Sequence, residues 1–156
     1  MSKYSATVFW QRGLDEAFID NRYSRAHQWQ FDGGVVVPAS ASPSIVPEPH
    51  AVAANVDPEE AFVAALSSCH MLFFLSLAAK QQWQVERYQD NAEGLMAKNP
   101  QGRMAMTQVW LRPQALFAAG TEVTEAQLNA LHHKAHELCF LANSVLTDIL
   151  IEPVLP

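Results

Sequence analysis

A chain of 156 residues, 49% of them apolar, is long enough for one packed domain and too apolar for a disordered one. The net charge of -6 argues against nucleic acid and anionic membrane as main partners. Two cysteines, Cys69 and Cys139, are too few for a disulfide scaffold.

Residues 3–12 carry Tyr4, Thr7, Val8, Phe9 and Trp10 and read as a first strand, followed by a turn at Gly13-Leu14-Asp15-Glu16. Residues 25–31 alternate His27, Trp29 and Phe31 against Gln28 and Gln30, the pattern of a half-buried strand. Asp32-Gly33-Gly34 signals a turn into a short strand, Val35 to Val37. Residues 38–57 hold Pro38, Pro43, Pro47 and Pro49, which forbid helix and central strand, so the segment is either a binding loop or a plain connector.

Asp57 opens a helix: Asp at the N-cap, Pro58 at the first helical position and Glu60 three residues on form a capping-box pattern. The stretch to about Gln81 is then almost uncharged, as a buried central helix would be. Val85 to Met96 and Arg103 to Pro113 read as strands broken at Asn99-Pro100-Gln101-Gly102. A second helix runs from about Glu125 to Leu141, and Ile149 to Val154 reads as a terminal strand. The order βββ–α–ββ–α–β predicts an α+β fold, one domain over 1–156, with antiparallel sheets wrapped around two main helices. Met1 to Ser5 shows no apolar leader run, and the longest apolar stretch, Met71 to Ala79, is short of a membrane span. The expectation is a cytoplasmic protein with no membrane partner, in which cysteines are catalytic, redox-active, metal-bound or simply buried.

Both cysteines fall in segments that read as helix. A thiolate that attacks a peroxide becomes a sulfenic acid, and a second thiol can reset it. Cys69 sits among apolar residues, where burial alone makes a thiol inert, so reactivity demands a cationic partner. Arg12, Arg22 and Arg25 are the candidates, the last two within the polar cluster Asn21 to His27. Glu59 could orient such a guanidinium, although a first-turn carboxylate is equally explained by the helix dipole. Ten residues of helix rise about 15 Å, so Glu59 and Cys69 of one straight helix cannot meet. A shared site therefore needs a break near Ser67-Ser68 or a second copy of the chain. His132, His136 and Cys139 fall on one helix face and could hold zinc, with Cys69, His70, Glu137 or Asp148 as a fourth ligand.

The run Asp57-Pro58-Glu59-Glu60-Ala61-Phe62-Val63-Ala64-Ala65-Leu66-Ser67-Ser68-Cys69 closely resembles the cysteine helix of the OsmC/Ohr family of osmotically inducible and organic hydroperoxide resistance proteins. Cys139-Phe140-Leu141-Ala142-Asn143-Ser144 resembles the family's second cysteine segment, with Phe140 where Pro usually stands. The resemblance covers essentially the whole chain. It implies an intertwined homodimer that reduces organic hydroperoxides with an external dithiol as reductant and no cofactor. By the resemblance Cys69 is the peroxidatic cysteine, Cys139 the resolving one, and Glu59 the holder of the catalytic arginine. Arg25 best matches that arginine, with Arg12 and Arg22 as alternatives. The departures at Phe140, in the Pro-rich segment and in the cluster from Arg22 to His27 mark a divergent branch. Other classes stay open: a non-catalytic small-molecule-binding protein on the same fold, or a zinc protein through His132, His136 and Cys139.

Overall fold

A computed structural model describes residues 1–154. The chain forms two compact units, Met1–Ala61 and the remainder from Phe62 onward.

The first unit is a three-stranded antiparallel sheet of β1 (Ala6–Phe9), β2 (His27–Phe31) and β3 (Val36–Ala39), in that order. Val8 pairs with Trp29 and Trp29 with Val37, so the β-branched and aromatic residues of neighbouring strands share a face. Gly34 turns the β2–β3 hairpin with φ +86, a conformation that favours glycine. The Pro-rich segment is ordered. Ser40 N donates to Val56 O at 3.0 Å, Val56 N to Pro38 O at 3.1 Å, and Val52 N to Ser40 Oγ at 3.0 Å. These bonds supply the backbone partners that the prolines deny to a regular strand, and Ala39, Ser40 and Ala51 are buried inside the fold-back.

Helix α1 (Pro58–Lys80) begins at the cap read from sequence. Glu60 N donates to Asp57 Oδ1 at 2.7 Å and Asp57 N to Glu60 Oε2 at 3.3 Å, so two orphan amides are satisfied reciprocally. The helix is continuous through Ser67-Ser68. Its buried residues, Leu66, His70, Phe74 and Ala78, recur every fourth position along one stripe.

The second unit packs on that stripe. Strands β4 (Val85–Asp90) and β7 (Pro113–Phe117) form an antiparallel pair. Strands β5 (Glu93–Lys98), β6 (Met104–Leu111) and β8 (Asp148–Ile151) form a sheet in the order β5-β6-β8, with β8 parallel to β6. Helix α2 (Glu125–Leu138) starts at a capping box made by Thr124 and Gln127. Leu66 packs with Val109 and Leu111, while Phe74 and Ala78 pack with Ala115, Leu128, Leu131 and Ala135. The first half of α1 thus meets β6 and the second half meets β7 and α2.

Three differences from the sequence reading have physical causes. The single strand expected over 85–96 is two, and β7 follows where the strand expected to end at Pro113 stops. At both corners the chain is held by Asp90, whose Oδ1 accepts from Arg112 N at 2.6 Å and whose Oδ2 accepts from Ser67 Oγ. Pro113 has no amide to donate and opens β7. The second helix stops at Leu138, so Cys139 is its C-cap rather than a helical residue, with φ -64 and ψ 112.

Candidate thiol site

Cys69 lies on α1 beside the buried stripe and is half-buried; Cys139 is 1% exposed. Cys69 and Cys139 are neighbours in space although 70 positions separate them. Burial pushes the Cys139 thiol up to about 11, and the neighbouring Cys69 works in the same direction. Cys139 therefore keeps its proton. A backbone amide, Ala142 N, donates to Cys139 Sγ at 3.4 Å and partly opposes that rise.

Residues just beyond α2 build the turn that carries Cys139. Asn143 N donates to Cys139 O at 3.1 Å, Asn143 Nδ2 to Glu137 O at 2.9 Å, and Ser144 Oγ to Phe140 O at 2.6 Å. A 3₁₀ turn at Ala142–Ser144 follows. Phe140 projects from this turn and meets Phe73 edge-on, with centroids 5.0 Å apart. Phe73 is one helical turn beyond Cys69.

Arg25 and Glu59 are both half-buried in the first unit. The Arg25 guanidinium donates to Asn21 O at 3.0 Å, to Asn21 Oδ1 at 2.8 Å and to Tyr23 O, and it stacks 3.7 Å over the Tyr23 ring. Asn21 adopts φ +64 to present these acceptors. Tyr23 in turn packs against Trp10 and Phe18. Arg12 donates to Leu14 O and Glu16 O, and both Arg12 and Arg22 are exposed. Among the described residues, neither Arg25 nor Glu59 forms an ion pair. Because α1 is unbroken, Glu59 stands about 15 Å along the axis from Cys69.

The histidines are arranged differently from the alternative zinc face of His132, His136 and Cys139. His132 is buried and turned toward α1, where its Nδ1 lies 2.9 Å from His70 Nε2 and the two rings stack at 8°. His133 instead pairs with Glu137 at 3.3 Å on the exposed side. Among the described residues, no group of three or more His, Cys, Asp or Glu side chains is placed to hold a metal ion. Desolvation lowers His70 to about 4 and His132 to about 3, with His136 adding repulsion at His70, so both rings are neutral. This pair escaped the sequence reading. Its signal was present: His70 occupies the every-fourth-residue stripe between Leu66 and Phe74. A cavity of about 470 Å³ opens between α2 and β8, lined by Asn129, His132, His133, His136, Ile149, Ile151 and Pro153. Neither cysteine lines it.

A family model described as OsmC-like protein matches residues 52–153. A search of curated proteins finds no match. Among solved structures, an OsmC-like protein of unknown function from Vibrio cholerae is 58% identical, with a TM-score of 0.97 over 99% of this chain and 100% of that one. An organic hydroperoxide resistance protein from Elizabethkingia anophelis superposes with a TM-score of 0.71 at 15% identity, covering 99% of this chain and 96% of that one. The corresponding values for an organic hydroperoxide resistance protein from Bacillus subtilis are 0.62 and 18%, over 98% of each chain. The last two share the fold at identities too low to carry more. The chain belongs to the OsmC-like protein family.

Proposed function

We propose that this protein is a thiol-dependent peroxidase that reduces organic hydroperoxides through Cys69, with Cys139 as the resolving thiol. The proximity of the chain's two cysteines, one half-buried and one buried, carries this reading. The family's solved members include organic hydroperoxide resistance proteins, which supports it.

In this cycle the Cys69 thiolate attacks the outer peroxide oxygen. The O–O bond breaks, and the departing alkoxide takes a proton and leaves as an alcohol. The Cys69 sulfenic acid then reacts with Cys139, expelling water and leaving a disulfide. An external dithiol reduces it. The difference between the two sulfurs suits these roles: the half-buried one meets substrate, and the buried one holds its proton until the first step is over. Arg25, the half-buried one of the three early arginines, is assigned to the peroxide and the thiolate, and Glu59 to that arginine. Because the unbroken α1 separates Glu59 from its own Cys69, the assignment calls for a homodimer in which Glu59 serves the partner's site.

Titration with cumene hydroperoxide tests the reading. The expected result is loss of both free thiols, a Cys69–Cys139 disulfide by mass spectrometry, and a fall in turnover of about 100-fold or more in Cys69→Ser. Undiminished peroxide consumption by Cys69→Ser would sink it. If both thiols of the wild type survive peroxide, a binding role is left, and the cavity between α2 and β8 is where it would reside.

A further inference from the structure

Cys139 stands one residue outside α2, so the helix does not hold its sulfur against α1. Among the described residues, the hydrogen bonds that shape its turn run within residues 137–144. Among the described residues, two contacts between this turn and α1 stand out. One is between the sulfurs, and it must change when they react. The other is the edge-to-face pair of Phe140 with Phe73. The contacts are in register: Cys69 and Phe73 lie one turn apart on α1, and Cys139 and Phe140 are adjacent. Phe140 is 71% exposed, and the aromatic ring it packs against is Phe73.

We propose that Phe140 is a positioning residue that clasps the Cys139 turn onto α1 and thereby sets how readily Cys69 and Cys139 close into a disulfide. The proposal rests on the two sulfurs being a reacting pair, but not on peroxide being the oxidant. An aromatic edge contact of this kind restricts the turn without shielding the sulfurs chemically. The ring holds Cys139 near Cys69 before and after the bond forms, and it raises the effective concentration of one thiol toward the other.

Equilibration with glutathione redox buffers measures this directly. A protein thiolate attacks glutathione disulfide and releases one glutathione. The second protein thiolate then displaces the other, and the protons lost by the two cysteines appear on the two glutathiones. The effective concentration of the pair follows from the ratio of closed to open protein. Phe140→Ala is expected to lower it about two- to tenfold, the range of an aromatic pair. Phe140→Tyr, which keeps the ring edge, is expected to match the wild type. The unfolding midpoint of each variant, taken with both thiols reduced, is expected to stay close to that of the wild type, since a mostly exposed ring contributes little burial. An unchanged effective concentration in Phe140→Ala overturns the clasp and leaves the thiol pair standing. A wild type that forms no intramolecular disulfide at any glutathione ratio overturns both. Equal losses in the Ala and Tyr variants also overturn the clasp.

Discussion

His70 and His132 are each 1% exposed, and a single hydrogen bond joins them. Their outer nitrogens, His70 Nδ1 and His132 Nε2, are buried with no hydrogen-bond partner among the described residues. Such a pair tolerates one shared proton and no net charge. Its folded pKa values, about 4 and about 3, lie below the ordinary imidazole value of 6.5. The unfolded chain therefore binds more protons than the folded one below about pH 6.5. The pair's contribution to stability is expected to be flat above that pH and to fall as pH drops from 6.5 toward 4. Urea midpoints measured across this range check the sign. His132→Asn, which keeps a hydrogen-bonding side chain but does not titrate, is expected to give a shallower fall than the wild type. Equal slopes in the two proteins would remove the pair from the account. Neither the pairing nor its sign was legible beforehand, because the partners lie 62 positions apart on different helices. The stripe that holds His70 is seen in the structure, and nothing local in the sequence says what that ring would meet.

Secondary structure was readable where the deciding forces are local. The start of α1 follows from Asp57, Pro58 and Glu60, and both reciprocal bonds form. The corners after β4 and β6 were not readable, since the side chain that fixes them, Asp90, works on Ser67 and Arg112, both more than 20 positions away. The end of α2 was placed three residues late for a related reason: Cys139 and Phe140 are as apolar as the helix before them, and they leave it to form the turn over α1. A tight point in β5 exposes the same dependence on distant neighbours. A Cβ at Gly94 would lie 2.7 Å from Val63 Cγ2 on α1 and would also strike the end of Met106. Met106 can yield, whereas the branched Val63 on a helix cannot. Gly94→Ala is expected to cost about 1–3 kcal/mol in chemical denaturation, with part of it recovered in the double variant with Val63→Ala. A neutral single variant would show that α1 and β5 are packed more loosely than the distances state.

Helix α1 is long and apolar enough to cross a membrane by length and composition, with a mean hydropathy of 1.9, although the Met71 to Ala79 stretch by itself is not. Only 22% of that apolar window is buried, and Leu72 is 61% exposed. The stripe through Leu66, His70, Phe74 and Ala78 is already used by the core, with a histidine in it, which is the habit of a central helix in a packed fold. Apolar side chains are exposed in each unit: Leu72 on α1, and Val8, Phe9, Phe31 and Val36 in the first sheet. If the proposed homodimer forms, sedimentation at micromolar concentration is expected to give twice the chain mass; a monomer would refute it. The unbroken run of α1 from Glu59 past Cys69 then has a consequence in genetic terms. Glu59→Gln and Cys69→Ser chains, each inactive with itself, would complement one another when refolded together. Each mixed dimer regains one site, Cys69 from one chain beside Glu59 from the other, and loses both groups at its second site. An equal mixture would thus recover about a quarter of wild-type turnover if pairing is random. A mixture as dead as its parents would mean that each chain draws both groups from itself.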